Sequence, residues 1–357
     1  MDLLRTYAET KALLDTLDLG TLYPGFHPYP FALYTENEVC RGGEVRPNGG
    51  GLIGNTAVFL HGEPTAIWDV ELDPPADIER FAAGIVHEMF HCHQFACGEA
   101  RFPSDLMMLA HPGTAESFVL RHRENTCLAQ AFLTGDEGQL RRFAALRAQG
   151  YRADPTAAEQ LQRVETIEGM AEYIELCALR RLSPEKYRQD TARYAEVLCT
   201  ADERLFDTRG ALFCLCLEML GRPVKNDMAD DCTLYAQNAE GLPTDPAIDT
   251  ADPATDPATD PVTDPVGDAD IVRRHDALIR EQGAQIERIV SAARFVPGQA
   301  RICGYDPMAL FRVGDRLYSG HYLRLSEDGR ETDIVGPAVL VMAPGSADRV
   351  IGRYTVG

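Results

Sequence analysis

Between Pro243 and Asp270 the chain reads PTDPAIDTADPATDPATDPVTDPVGDAD, with Asp252, Asp256, Asp260 and Asp264 repeating every four residues. The stretch holds eight aspartates and neither Lys nor Arg. Proline removes backbone donors, like charges repel along the chain, and nothing is bulky enough to build a core, so an extended tether is predicted. Folding must happen on either side of it. The expected layout is a domain at residues 1–242, an acidic linker at 243–270 and a smaller module at 271–357. A calcium loop is not expected in the linker, because no glycine turn followed by a terminal glutamate is present.

The flanks have globular composition. With 357 residues, 45% hydrophobic and 25% charged, the chain can supply one large domain and a second small one. The net charge of −21 repels nucleic-acid phosphates and anionic membranes, and no Lys/Arg cluster interleaved with aromatics offsets it. Neither nucleic acid nor membrane is therefore an expected partner. The opening MDLLRTYAETKALLDTLDLG reads as a surface helix rather than an export signal, and no apolar run reaches the ~18 residues of a membrane span. Ten cysteines in such a chain, several of them in apolar helical patterns, read as reduced thiols of a cytoplasmic protein.

Residues FALYTENEV and TAVFLHGEPTAIWDVEL alternate like strands, with Gly62 placed to turn the second into a hairpin. From Pro75 to about Leu220 apolar residues recur at three and four, as in ADIERFAAGIVHEMFHCHQF, TAESFVLRHRENTCLAQAFL, AAEQLQRVETIEGMAEYIELCALRRL and RGALFCLCLEML. After the tether, IVRRHDALIREQGAQIERIVSAARF reads as one amphipathic helix, followed by short strands in QARICGY, MALFRV, HYLRL, AVLVMAP and RVIGRYTV. A small sheet with helices, then a mostly β module, makes the fold class α+β.

The segment His87-Glu88-Met89-Phe90-His91-Cys92-His93 concentrates chemistry in an apolar helix. Residues at i and i+4 share a helix face, so His87 and His91 can reach one ion, and Glu88 sits on the flank, where a general base acts on water activated by that ion. Unpaired histidines in a buried helix are costly, which favours a metal site over coincidence. Zinc is the expected ion. A catalytic zinc takes three protein ligands and leaves a fourth position open. A metzincin ligand set would need glycine and histidine where this chain has Gln94 and Cys97, and His93 points to the far side of the helix.

Downstream, RVETIEGMAEYIE contains Glu168-Gly169-Met170-Ala171-Glu172-Tyr173. Together with His-Glu-x-x-His this resembles the gluzincins, zinc peptidases whose third ligand is a glutamate on a second helix, in a recurring Glu-Gly-x-Ala-x-Tyr form. The resemblance covers roughly Thr56 to Leu220 and implies a zincin-like domain with Glu168 as third ligand. Glu172, one turn on, can then accept the distal ring N–H of a ligand histidine, His87 in the expected arrangement. Members of the clan supply an aspartate at that offset; here the longer Glu stands in its place. Gly169 inside a helix costs about 1 kcal/mol relative to alanine, and close approach of the histidine helix would explain it. The competing reading of Glu165, Glu168, Glu172 and Glu175 is a solvated acidic face.

These residues lead to an expected zinc-dependent peptidase-like hydrolase acting on a peptide or protein, with His87, His91 and Glu168 on the metal and Glu88 as base. A strand within GNTAVFLHGEPTAIWDV could pair with an extended substrate, and Tyr187, Tyr194, Arg209 and His111 are candidate oxyanion donors. No Gly-x-Met-Glu-Asn segment is present to hold a free amino terminus, which leans toward an endopeptidase. Two alternatives remain: a non-catalytic zincin scaffold that binds a protein partner through the C-terminal β module, and a zinc hydrolase of non-peptide amides. Limited proteolysis followed by mass spectrometry should place the first cut within residues 243–270, leaving folded pieces on either side. A first cut inside either flank would contradict the tether.

Overall fold

The computed structural model describes residues 2–111, 113–199, 206–242, 267–306 and 309–355, so the repeat at 243–266 lies outside the described residues. The chain is α+β, with a small sheet and helices before the repeat and a second, all-β sheet after it. It forms two compact units: one from the described residues of 1–102, 124–145 and 162–262, the other from those of 103–123, 146–161 and 263–357.

In the first unit α1 (Leu3–Leu14) precedes β1 (Phe31–Tyr34), β2 (Glu38–Arg41), β3 (Glu44–Pro47), β4 (Thr56–Leu60) and β5 (Glu63–Asp69). These strands form one sheet in the order β3-β2-β1-β5-β4. All neighbours are antiparallel except β1 and β5, where Phe31 stands beside Ala66. The β4–β5 hairpin turns at His61 and Gly62, both with positive φ (53° and 87°), a two-residue geometry whose twist matches that of the flanking strands.

The histidine helix α2 (Ile78–Ala96) packs against β5 and β4. It begins at Asp77, whose carboxylate accepts the Arg80 backbone N–H at 3.1 Å. Phe81, Ile85, Met89 and Phe90 enter the core from this helix. Gly84 lets it press on the sheet, since a Cβ there would lie 2.9 Å from the Trp68 ring.

In chain order there follow α3 (Asp105–Ala110), α4 (Ala115–Thr134), α5 (Glu137–Ala153), α6 (Pro155–Leu182), α7 (Pro184–Leu198), α8 (Phe206–Met219) and α9 (Leu234–Asn238). Helix α6 carries Glu168, and α8 clamps it one turn earlier. Buried Arg209 donates from Nε to Glu165 Oε1 at 2.8 Å, and a Cβ on Gly210 would fall 2.6 Å from Glu165 O and 2.7 Å from Gly169 Cα. The helix that presses on Gly169 is thus α8, where the sequence pointed to the histidine helix.

The second unit joins α10 (Asp268–Ala292) to β6 (Arg294–Tyr305), β7 (Leu310–Val313), β8 (Arg316–Ser319), β9 (Tyr322–Glu327), β10 (Arg330–Val335), β11 (Ala338–Met342) and β12 (Arg349–Thr355). The sheet order is β10-β9-β6-β12-β11-β8-β7, antiparallel throughout. Ile286, Ile289 and Val290 of α10 pack on Tyr318 and Val339, while Leu106 and Leu109 of α3 join the core of Leu317, Leu323 and Leu340. Arg123 forms an ion pair with Asp268, and the rings of Phe118 and His275 meet at 4.4 Å. Chain from both sides of the repeat therefore builds this unit, and α10 starts three residues before Ile271.

All ten cysteines are free thiols. Among the described residues, no helix is long and apolar enough to cross a membrane. Gly210→Ala should lower unfolding free energy by about 1–3 kcal/mol, because backbone cannot yield as a side chain can and the overlap outweighs the ~1 kcal/mol that alanine adds in helix propensity. Urea denaturation checks this; a variant as stable as the parent would contradict the clamp.

Candidate metal centre

All five site residues expected from the sequence meet where α2 crosses α6. Both helices are buried over much of their length, and the His87/His91 face of one is turned toward the Glu168/Glu172/Glu175 face of the other. His91 Nε2 stands 3.1 Å from His87 Nε2 and 3.2 Å from Glu168 Oε2, and His87 Nε2 stands 3.6 Å from the same oxygen. These atoms form one of two groups of potential metal ligands among the described residues; the other is His87, Glu172 and Glu175.

Hydrogen bonds decide what the three facing atoms carry. Gln94 is fully buried, and its Nε2 donates to the backbone oxygen of Ile167 at 3.0 Å, an atom that can only accept. Its Oε1 is thereby turned to His91, whose Nδ1–H donates to it at 2.7 Å. A His91 ring that carries a single proton on Nδ1 has its lone pair on Nε2. His87 Nδ1 faces two carboxylates, Glu175 Oε2 at 3.2 Å and Glu172 Oε2 at 3.8 Å, which favours a proton on Nδ1. The Glu175 approach is close yet off the N–H direction, so it acts as a charge contact rather than an aligned hydrogen bond.

The three facing atoms, Nε2 of His87, Nε2 of His91 and Oε2 of Glu168, lie close enough together to share one cation. The spacing suits zinc: bonds of 2.0–2.1 Å in a tetrahedron give ligand–ligand edges of about 3.3–3.4 Å, and the three edges of 3.1, 3.2 and 3.6 Å straddle that value. Two nitrogens and one carboxylate oxygen are a donor set that zinc accepts. The Glu168 side chain keeps 44% exposure, against 13% and 12% for His87 and His91, so the site opens to solvent on the Glu168 side.

Electrostatics express the same crowding. Burial works against the Glu168 carboxylate, but its contacts with His87 and His91 outweigh it and hold its pKa well below the usual range. Burial likewise disfavours a charged His87, yet its contacts with Glu168 and Glu175 raise its pKa well above the ordinary value. Glu88 is 7% exposed with Oε2 unpartnered; burial raises its pKa against the pull of His87 and His91.

The other candidates go elsewhere. His93 is packed among Tyr23, Phe26 and Phe90, and Cys97 Sγ lies 3.6 Å from His93 Nε2, so that thiol is not brought to the His87/His91 pair. Tyr194 donates its hydroxyl to Glu172 Oε1, the one oxyanion candidate bonded to an acid that faces His87. Arg209 pairs with Glu165, Tyr187 lies under the Arg180 guanidinium, and His111 meets Asp154 at 3.0 Å. Glu165 and Glu172 are buried, so the acids of α6 are not a solvated face.

Sequence reasoning passed over Gln94 as a ligand relay and Glu175 as the nearer acid to His87. Their signals were present: Gln94 is three residues after His91, and Glu175 is two turns after Glu168 on the same face. A cavity of about 940 Å³ lined by Tyr23, Met170, Tyr173, Lys225 and Asp227 uses the opposite side of α6, since Met170 and Tyr173 are turned away from Glu168 by the 100° step per residue. It takes no part in the cluster. No family model, curated protein or solved structure matches the chain.

Proposed function

We propose that the chain is a zinc-dependent, peptidase-like hydrolase with a gluzincin-type site, in which His87, His91 and Glu168 hold the ion. The observation that carries this reading is the convergence of two imidazole nitrogens and one carboxylate oxygen at tetrahedral-edge spacing, beside the buried Glu88. The small sheet lying on the histidine helix supports a zincin-like arrangement of the first unit. Its outer strand, β4, runs antiparallel to β5 and keeps one edge outside the sheet, the kind of edge to which an extended peptide adds as a further strand. Ten free thiols suit a reducing compartment and agree with a cytoplasmic location.

Bound zinc supplies Lewis acidity, polarising an amide carbonyl and making water nucleophilic near neutral pH. Glu88 then works as the proton carrier: its carboxylate takes a proton from the attacking water and delivers it to the departing nitrogen. Glu172 and Glu175 hold the Nδ1 side of His87, which fixes the ring that presents Nε2. Tyr194 in turn steadies Glu172 through its hydroxyl.

The roles of Glu88 and Glu168 separate by metal content. Glu88→Gln preserves shape and should keep zinc while lowering turnover by the ~10²–10⁴-fold typical of lost acid–base catalysis. Glu168→Ala removes a ligand and should lose zinc along with activity, with added zinc restoring part of it. Both variants and the parent are compared for zinc stoichiometry and for cleavage of a mixed peptide library. If Glu168→Ala holds zinc as the parent does, the ligand set is wrong. If the parent holds zinc and cleaves nothing in the library, a binding scaffold replaces the peptidase reading.

A further inference from the structure

We infer that Gln94 is a positioning residue of the metal centre, which sets the His91 tautomer and locks the two ligand-bearing helices together. The inference rests on the zinc reading above. Gln94 is fully buried and its amide spans two elements: Oε1 accepts from His91 Nδ1 at 2.7 Å, and Nε2 donates to the Ile167 oxygen at 3.0 Å. Ile167 is the residue before Glu168, so one side chain connects a histidine ligand on α2 to the backbone that carries the carboxylate ligand on α6.

The amide cannot be turned round without loss. Reversed, it would aim an oxygen at the Ile167 carbonyl and an N–H at His91 Nδ1, placing two acceptors face to face at one end and forcing the imidazole proton onto Nε2 at the other. A proton on Nε2 would occupy the space between His91, His87 and Glu168, where the ion is to bind. The orientation imposed by Ile167 thus keeps Nε2 free as an electron-pair donor. Gln94 occupies the position where a metzincin would have glycine, which gives that departure a physical use: the helix continues past His91 as far as Ala96, and the extra turn supplies the relay. No polar side chain other than Gln94 is hydrogen-bonded to His91 Nδ1 among the described residues.

Zinc affinity of the full-length parent, Gln94→Leu and Gln94→Glu is measured by competition with a chromophoric chelator, and thermal unfolding of each is followed in the metal-free state. Gln94→Leu removes both bonds and should weaken zinc by about 10–100-fold, the effect of losing an outer partner of a ligand histidine. Gln94→Glu keeps an acceptor for His91 and should recover most of that loss. A purely architectural role would lower the unfolding temperature of both variants and leave zinc affinity of the folded protein unchanged, which would overturn the inference. Long-range proton–nitrogen spectra of the metal-free parent give a check independent of any variant: neutral His91 should carry its proton on Nδ1, and a proton on Nε2 overturns the proposal even if Gln94→Leu fails to fold. A parent that holds no zinc overturns both this inference and the reading it rests on. A parent that holds zinc, with Gln94→Leu equal to it, overturns this inference alone.

Discussion

The first unit depends on one contact, the crossing of α2 over α6, because that crossing is where both hydrophobic packing and unscreened charge must be satisfied together. Apolar faces bring the helices together, and Gly210 and Gly169 let α8 hold α6 from behind at backbone distance. Close packing then forces polar groups to meet: two imidazoles and the carboxylates of Glu168, Glu172 and Glu175 share a partly dehydrated space. Without an ion, the acids favour a proton on His87, whose pKa they raise. With zinc, the same atoms become ligands and their outer partners, so binding energy is also folding energy for this crossing.

Two carboxylates on the Nδ1 side of His87 and one amide on the Nδ1 side of His91 give the ligands different support. Charge near a histidine's distal nitrogen raises its basicity as a ligand, whereas a neutral amide mainly fixes its direction. His87 has the first kind of partner and His91 the second. The asymmetry places negative charge at the end of the site away from Gln94. Among the described residues, Glu88 is the acid near this cluster whose Oε2 is buried without a hydrogen bond.

Local periodicity made much of this legible. The i, i+4 histidines, the long apolar helices and the His61–Gly62 hairpin follow from short-range pattern, and each forms where the sequence indicates. Three strands escaped, β3, β8 and β10, and two of them lack such a pattern. Strand β3 is exposed throughout and β10 nearly so; each is held by a single neighbour at the edge of its sheet, so no apolar alternation marks them. The parallel joining of β1 to β5, and the recruitment of residues 103–123 and 146–161 into the unit with α10, are long-range events that spacing cannot announce. At the site, Glu168 was legible through its motif, but the partner nearest His87 Nδ1 was not: reach across a helix crossing depends on rotamers, and Glu175 comes closer than Glu172.

The central claim is that the ion belongs between the Nε2 atoms and Glu168, rather than on the Nδ1 side of His87 where Glu172 and Glu175 form the second possible cluster. Anomalous diffraction from crystals of the zinc-loaded protein, recorded on both sides of the zinc absorption edge, tests this directly. The account predicts one strong peak lying about 2.0–2.1 Å from the Nε2 atoms of His87 and His91 and from a carboxylate oxygen of Glu168. A peak among His87 Nδ1, Glu172 and Glu175, or none within reach of both histidines, would contradict it.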